Sequence, residues 1–459
     1  MIANATSFTE RHLRYFTRAG KTRWSSNTIS LRFSSQRIVS KPDKPFTITR
    51  HRPYKRRDCR LKWFIAKVSD FLVQLGLTGR VLVLGAGFGG IPASIELRKM
   101  LPPSYEVVLV DRRDKFSMGF MNLWLMTGEI PSPRECLYPV KGVQKHGVKF
   151  RNEEIIKIDP ERKRVQTSEN TYEADAIIVA LGAEYVLDAV PGFREAAYNF
   201  YDLMGAFAAQ NVLKQFDGGR IAVLITGTPF KCPPAPYEAA FLVQLYMKHR
   251  GIGDKVSIDI YTPEPQPMPA AGPAGKQVEK LLAERGIGFH PRKTVKQIDA
   301  SRKKIVFEDE EAGYDLLLGV PVHRVPKIVR DAGLVDEVGW VSVNPLTMET
   351  KFPDVYGVGD VVAIKLRNGM FLPKAGVFAE AMGIVAARKI AAKILGTSDS
   401  SVFDGKGACY VEVGDGYAGK GAANFFADPA PEVIFEPPSP HGRREKHEFG
   451  LVRLQNWLL

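Results

Sequence analysis

Three glycines at positions 85, 87 and 90 and a carboxylate at 111 are the residues of this 459-residue chain whose types and spacing carry chemistry. Gly85, Gly87 and Gly90 lie in Arg80-Val-Leu-Val-Leu-Gly-Ala-Gly-Phe-Gly-Gly90, a G-x-G-x-x-G turn that follows an apolar run. The first glycine permits a tight turn, the second lets backbone approach a pyrophosphate, and the third lets the following helix pack closely on the strand. The phosphates then sit at that helix's N-terminus. Asp111 ends the next apolar run, Glu106-Val-Val-Leu-Val-Asp111, 21 residues past Gly90 (111 − 90), where its carboxylate can accept the ribose hydroxyls of an adenine dinucleotide. The glycine motif alone is weak. Strand, turn, helix and acidic strand end in the required order make it specific.

Elements that would position these residues follow along the chain. The apolar stretch through Leu123 and Met126 predicts a helix, and residues 148–150, 155–158 and 164–167 read as short strands of a meander. Ala174-Asp-Ala-Ile-Ile-Val-Ala-Leu-Gly-Ala183 is a buried strand ending at Gly182. A second strand, turn, helix and strand spans 220–227, 236–249 and 256–261. Its turn, Gly227-Thr-Pro-Phe-Lys-Cys-Pro-Pro-Ala-Pro236, has one glycine and four prolines, so it lacks the glycines that let amides close on a pyrophosphate. NAD(P)H is not expected there. A helix over 274–285 and strands near 288–291, 294–298, 304–308 and 314–320 continue this unit. Phe352-Pro-Asp-Val-Tyr-Gly-Val-Gly-Asp360 reads as a buried strand closing on Gly359 and Asp360, and residues 374–395 predict a strong helix. From 398 onward Pro and Gly are frequent and only short strands are expected.

Composition narrows the class. At 45% apolar and 25% charged residues, the chain has the makeup of a globular protein large enough for two or three domains. The net charge of +14 suggests nucleic acid or an anionic membrane until it is located. Residues 1–62 hold 16 Lys or Arg against Glu10, Asp43 and Asp58, which leaves +1 for the remainder, so no nucleic-acid partner is expected. That Arg- and Ser-rich leader has the composition of an organelle transit peptide or a disordered tail; an extension without function, ahead of a later translation start, is weighed equally. Residues 61–77 look helical and amphipathic, but Lys62, Lys67 and Asp70 interrupt them, so they predict no transmembrane span. Any membrane contact is therefore expected to be peripheral. Cys59, Cys136, Cys232 and Cys409 form neither a disulfide framework nor metal-ligand spacing, and the histidines, His146, His249, His290 and His323 among them, make no ligand pair; no metal is expected.

The segments Gly85-Ala-Gly-Phe-Gly-Gly90, Phe230-Lys-Cys-Pro-Pro-Ala-Pro-Tyr-Glu238, Val358-Gly-Asp360 and Leu372-Pro-Lys-Ala-Gly376 together resemble the two-dinucleotide-binding-domain flavoproteins over about residues 79–459. The likeness is to the sulfide:quinone oxidoreductase and flavocytochrome c sulfide dehydrogenase flavoprotein family, with type II NADH dehydrogenases as more distant relatives. It implies an α/β fold: two Rossmann-like, three-layer ββα dinucleotide-binding domains plus a small C-terminal cap. The FAD-binding domain would comprise 79–190 with 345–396, the second domain 191–344 and the cap 397–459, after a basic leader at 1–78.

The resemblance also implies roles. FAD would be the cofactor, held by Gly85, Gly87, Gly90, Asp111, Gly182, Gly359 and Asp360. Pro373-Lys374 would open a helix aimed at the isoalloxazine, where a dipole and a lysine stabilise anionic reduced flavin; a solvated surface lysine is the plainer reading. Cys232 would lie against the flavin and pair with a second cysteine, so that hydrosulfide attacks their disulfide. The family pattern expected here, Gly-Trp-Cys-Pro-Val, falls at Gly339-Trp-Val341-Ser-Val, which supplies no sulfur. Cys409 could substitute only if the fold brought it close; otherwise Cys232 is a lone carrier or a packing residue. The expected activity is two-electron transfer from a small-molecule reductant, sulfide among them, through FAD to a quinone or a haem protein. The alternatives are an NAD(P)H-dependent flavoprotein dehydrogenase and a flavoprotein without turnover. Homo-oligomerisation stays open, as does location: cytoplasm, membrane periphery or an organelle.

Overall fold

The computed structural model describes residues 78–459. The expected helix over 61–77 and the leader before it lie outside the described residues.

Strand β1 (Gly79–Leu84) leads through the glycine turn into helix α1 (Gly90–Met100) and returns as β2 (Tyr105–Val110). Short helix α2 (Met121–Met126), β3 (Lys149–Arg151), a three-stranded antiparallel meander over 155–173 and β4 (Ala176–Val179) follow. β5 (Glu184–Val186) and β6 (Ala197–Asn199) lead to α3 (Leu203–Gln215), β7 (Gly219–Ile225), α4 (Ala235–His249), β8 (Val256–Tyr261), α5 (Pro273–Glu284) and β9 (Gly288–His290). A second meander over 295–313 precedes β10 (Leu316–Val320), β11 (Val322–Arg324) and β12 (Val355–Gly357). Helix α6 (Gly376–Leu395), strands β13 (Lys406–Gly414), β14 (Tyr417–Asn424) and β15 (Glu432–Ser439), and helix α7 (Pro440–Trp457) complete the chain.

Two five-stranded parallel sheets result. The first has the order β12-β4-β1-β2-β3 and the second β6-β10-β7-β8-β9, so the strand that precedes each nucleotide-type turn lies at the centre of its sheet. Val81, Leu82, Val83 and Leu84 are wholly buried, as a central parallel strand covered on both faces requires. Residues 221–225 of β7 are equally buried. The two-stranded β5-β11 ribbon, with Tyr185 opposite His323, carries both chain crossings between the sheets. The α/β class with two Rossmann-like halves is thus what the coordinates show.

The C-terminal region departs from its expectation. Instead of short strands it holds a three-stranded antiparallel sheet whose strands run eight or nine residues, and an 18-residue helix. Glycines at 407, 414, 416, 419 and 421 disguised the strands. At Gly419 a Cβ would come within 2.6 Å of the Phe435 ring, so the smallness there serves cross-strand packing. Helix α7 starts at Ser439, whose side chain accepts from the amide of Gly442, with Pro440 in the first turn. It went unseen because its sequence carries no apolar stripe at helical spacing.

Candidate active site

The turn between β1 and α1 has the shape its glycines imply. Gly85 has φ +105°, and a Cβ there would meet the Ala180 carbonyl oxygen at 2.4 Å; at Gly90 it would lie 1.8 Å from the carbonyl of Gly85. Gly87 differs, since nothing lies within 4 Å of its Cβ position. Open space there, before an α1 N-terminus that no side chain caps, suits the pyrophosphate of a dinucleotide. Asp111 Oδ2 accepts the amide of Ala86 at 2.7 Å and Oδ1 that of Arg113 at 2.8 Å. One side chain thereby ties the end of β2 to the glycine turn, with lone pairs left over for a ribose. Gly182, at φ +66°, also faces open space, and Gly359, at φ +76°, brings the segment after β12 against Ala379 of α6. The residues present fit the ADP portion of a dinucleotide.

Lys374 lies elsewhere than expected. Helix α6 starts at Gly376 with an extended Ala375 as its cap, so Lys374 precedes the helix rather than opening it. Nor is it a solvated lysine: it is 6% exposed. Its Nζ donates to the carbonyls of Asp360 at 2.8 Å and Val362 at 2.7 Å and stands 3.5 Å from the centroid of Trp340. Burial pushes this amine down to about 7, with Asp360 opposing. Its own carbonyl accepts the amide of Cys232 at 2.7 Å, which joins the segment before α6 to the turn before α4.

Cys232 has φ +51°, and its carbonyl accepts the hydroxyl of Tyr201 at 3.0 Å and the amide of Ala235 at 3.0 Å. Those bonds leave its thiol at the N-terminal approach to α4. The fold brings Cys409 to the same place. Two residues before it, Gly407 lies so close to Phe378 of α6 that a Cβ would stand 2.6 Å from the ring; three residues after it, the Glu412 amide donates to Glu238 Oε1 of α4 at 2.7 Å. Cys409 is therefore held between the starts of α6 and α4, the two segments that Cys232 and Lys374 connect. Each is a free thiol in this structure, and the two are close enough for one to raise the other's pKa. Burial pushes Cys232 far up, with Glu238 and Cys409 adding to the shift; burial and Glu238 raise Cys409 to about 12. Both are only partly exposed.

Val341 holds a packing position. Its amide donates to the Val361 carbonyl at 3.1 Å, and its side chain is wholly buried beside Gly357, in the core of the first sheet.

Beneath the thiols lies a charge cluster that the sequence did not reveal. Lys446 of α7 reaches Glu238 at 2.5 Å and Glu412 of β13 at 2.9 Å, and all three are 3% exposed or less. Arg443 Nε reaches Glu412 at 2.7 Å, and Trp124 Nε1 of α2 donates to the same carboxylate at 2.9 Å. Two acids face two bases. Burial pushes Glu238 up, whereas for Glu412 the nearby Lys446 and Arg443 outweigh burial and hold it low. Glu238 carried a readable signal, a carboxylate inside the mostly apolar run Ala235-Pro-Tyr-Glu-Ala-Ala-Phe-Leu-Val243; Lys446, in Arg443-Arg-Glu-Lys-His447, carried none.

Among the described residues no cluster of His, Cys, Asp and Glu could hold a metal ion, and no helix is long and apolar enough to cross a membrane.

Comparisons with known proteins agree with this geometry. The chain is 28% identical over 374 residues to the sulfide-quinone reductase of Aquifex aeolicus (strain VF5), covering 76% of this chain and 83% of that protein. It is 23% identical to the mitochondrial sulfide:quinone oxidoreductase of Dictyostelium discoideum, covering 61% of this chain and 65% of the relative. The X-ray structure of the sulfide:quinone oxidoreductase from Aquifex aeolicus superposes with a TM-score of 0.74 at 25% identity, over 82% of this chain and 91% of that one. The profile of the pyridine nucleotide-disulphide oxidoreductases matches residues 79–383, from the first strand of the glycine turn into helix α6, and the chain belongs to that family of oxidoreductases.

Proposed function

We propose that this oxidoreductase binds FAD and passes two electrons from a small sulfur reductant to a quinone. The observation that carries the reading is that the fold holds Cys232 and Cys409 near enough for one to raise the other's pKa, between the turn before α4 and strand β13. Bound FAD, held by the glycine turn and the residues near Gly182 and Asp360, would supply the two-electron acceptor.

The protein's own groups determine the rest. In the oxidised state Cys232 and Cys409 form a disulfide. Hydrosulfide attacks the Cys232 sulfur, a new S–S bond forms, the Cys232–Cys409 bond breaks, and Cys409 leaves with the electron pair as a thiolate. The proton of the hydrosulfide stays on the terminal sulfur of the Cys232 persulfide. Burial, with Glu238, raises the Cys409 thiol to about 12 and so disfavours a resting thiolate there; FAD, where bound, would supply the acceptor for its electron pair. Lys374, between the carbonyls of Asp360 and Val362, keeps the segment after β12 in register with the start of α6.

The second nucleotide-type turn supports a non-nucleotide donor. In the first turn of α4, Tyr237 is wholly buried, and its hydroxyl reaches toward Glu264, just past the end of β8, at 3.4 Å. A protein side chain thus spans the strand ends where a second dinucleotide would lie. Exposed Ile434, Leu451, Val452 and Leu459 of the C-terminal region offer a membrane surface from which a quinone can approach.

Anaerobic stopped-flow mixing of the FAD-loaded protein with sulfide, and separately with NADH, tests the reading. Bleaching of flavin absorbance by sulfide, followed by recovery with a soluble quinone, is the expected result. Rapid bleaching by NADH with none by sulfide would sink it.

A further inference from the structure

The last helix reaches the glycine turn as well as the charge cluster. Phe88 is the one large side chain of Gly85-Ala-Gly-Phe-Gly-Gly90, and α7 holds its ring. Between centroids it lies 5.6 Å from Trp457, edge-on, and 6.2 Å from Phe449, stacked, and 5.6 Å from Phe116 of the segment after β2. Helix α6 closes on the same ring, since a Cβ at its first residue, Gly376, would stand 2.8 Å from Phe88. Trp457 is 5% exposed and also meets Phe116 at 6.1 Å.

The end of α7 is anchored on the first sheet's own elements. Arg453 reaches Glu380 of α6 at 2.6 Å, and Lys145 donates to the carbonyl of Gln455 at 3.0 Å. A Cβ at Gly142 would come within 2.1 Å of the Leu458 carbonyl oxygen, so the backbones touch there. A turn built from glycines loses more conformational freedom on becoming fixed than any other, and without an anchor that loss falls on the binding of the pyrophosphate. Phe88 follows directly on Gly87, the glycine that faces open space before the α1 N-terminus. Clamping its ring therefore orders the amides of the turn before a ligand arrives. The same helix carries Lys446 to Glu238 and Glu412, eleven residues back from Trp457 (457 − 446), roughly 16 Å along the helix axis.

We infer that α7 is a working part of the cofactor site: Trp457 and Phe449 position Phe88 and so preorganise the glycine turn, which makes FAD binding and the docking of α7 mutually reinforcing. Coupling of this kind is reciprocal, so bound FAD strengthens α7 on the body of the protein to the same degree that α7 strengthens FAD. Lys446 extends the coupling to the ion cluster near the thiols. The inference rests on FAD as the cofactor and adds to it the element that retains it.

The test is the rate at which the full-length, FAD-loaded protein releases flavin on dilution, followed by the fluorescence of the freed flavin. Trp457→Ala and Phe88→Leu are each expected to speed release about tenfold or more, as the loss of two aromatic contacts implies. Because Trp457 acts through Phe88, the double variant should release no more than about threefold faster than either single one, an interaction that general destabilisation would not produce. Trp457→Phe, which keeps an aromatic edge against Phe88, is expected to recover most of the loss, and Glu448→Gln, on the exposed side of the same helix, to match wild type. Amide exchange of the wild type needs no variant: residues 441–457 should exchange faster after the flavin is stripped, while those of β8 in the second sheet do not change. Release from Trp457→Ala at the wild-type rate, fully multiplicative effects in the double variant, or equal protection of α7 with and without flavin overturns the inference and leaves the FAD reading standing. A purified protein that neither carries FAD nor takes it up overturns both.

Discussion

At the scale of single residues, the site turns on two sulfurs and one amine. Replacing Cys409 with Ser removes the leaving thiol, and flavin reduction by sulfide should fall by about a hundredfold or more while FAD absorbance persists, as stopped-flow mixing would show. The same change at Val341 should leave that rate near wild type in folded protein, because Val341 packs against Gly357 in the core of the first sheet and supplies no sulfur. Lys374 makes a different prediction. Its folded pKa of about 7 lies below the ordinary lysine value, so between pH 7 and about 10.5 the unfolded chain binds more protons and stability rises with pH. Thermal melts of wild type and Lys374→Met across pH 7 to 9 should therefore diverge, with the steeper rise in wild type. Parallel curves would show that Lys374 titrates normally. The family resemblance singled out Cys232 and Lys374, but their settings were not legible in the sequence. A buried lysine reads the same as an exposed one, and a cysteine partner 177 positions away (409 − 232) is visible only once the chain is folded.

At the scale of elements, α7 is more than a covering. Lys446 enters a space already lined by Glu238 and Glu412, so Lys446→Met leaves Glu238 buried without a cation, while Glu412 keeps Arg443. Breaking such a cluster by removing one partner costs about 3–5 kcal/mol, and denaturant melts should show a loss of that size. Glu238→Gln in the same background should recover part of it, since the stranded charge is then gone; a double-mutant cycle measures the coupling. The parallel strands, by contrast, were legible almost residue by residue. Helix α4 and strand β8 fall where apolar periodicity put them, because a central parallel strand must be continuously apolar and its helix must bury one face. The C-terminal sheet obeys neither rule. Its glycines answer to neighbours such as Phe435 and Phe378 that sequence order does not reveal.

At the scale of the whole molecule, Ile434, Leu451, Val452 and Leu459 expose apolar surface on the last sheet and helix. Sedimentation with phospholipid vesicles should retain the protein, and Ile434→Lys combined with Leu451→Lys should weaken retention severalfold without changing flavin reduction by sulfide. An unaffected double variant would place the membrane contact elsewhere. Two Rossmann-like units could be read directly from strand-turn-helix order. How they meet could not, since the seam is built from backbone bonds such as Cys232 amide to Lys374 carbonyl, which leave no trace in residue type.

The separation of the two thiols along the chain has a thermodynamic consequence. A Cys232–Cys409 disulfide would close a loop of about 180 residues, and a crosslink of that span lowers the entropy of the unfolded ensemble by an amount worth roughly 5 kcal/mol at room temperature. The oxidised enzyme would then be the more robust species, and each encounter with a reductant would open the crosslink and bring the fold nearer its melting point until the electrons leave.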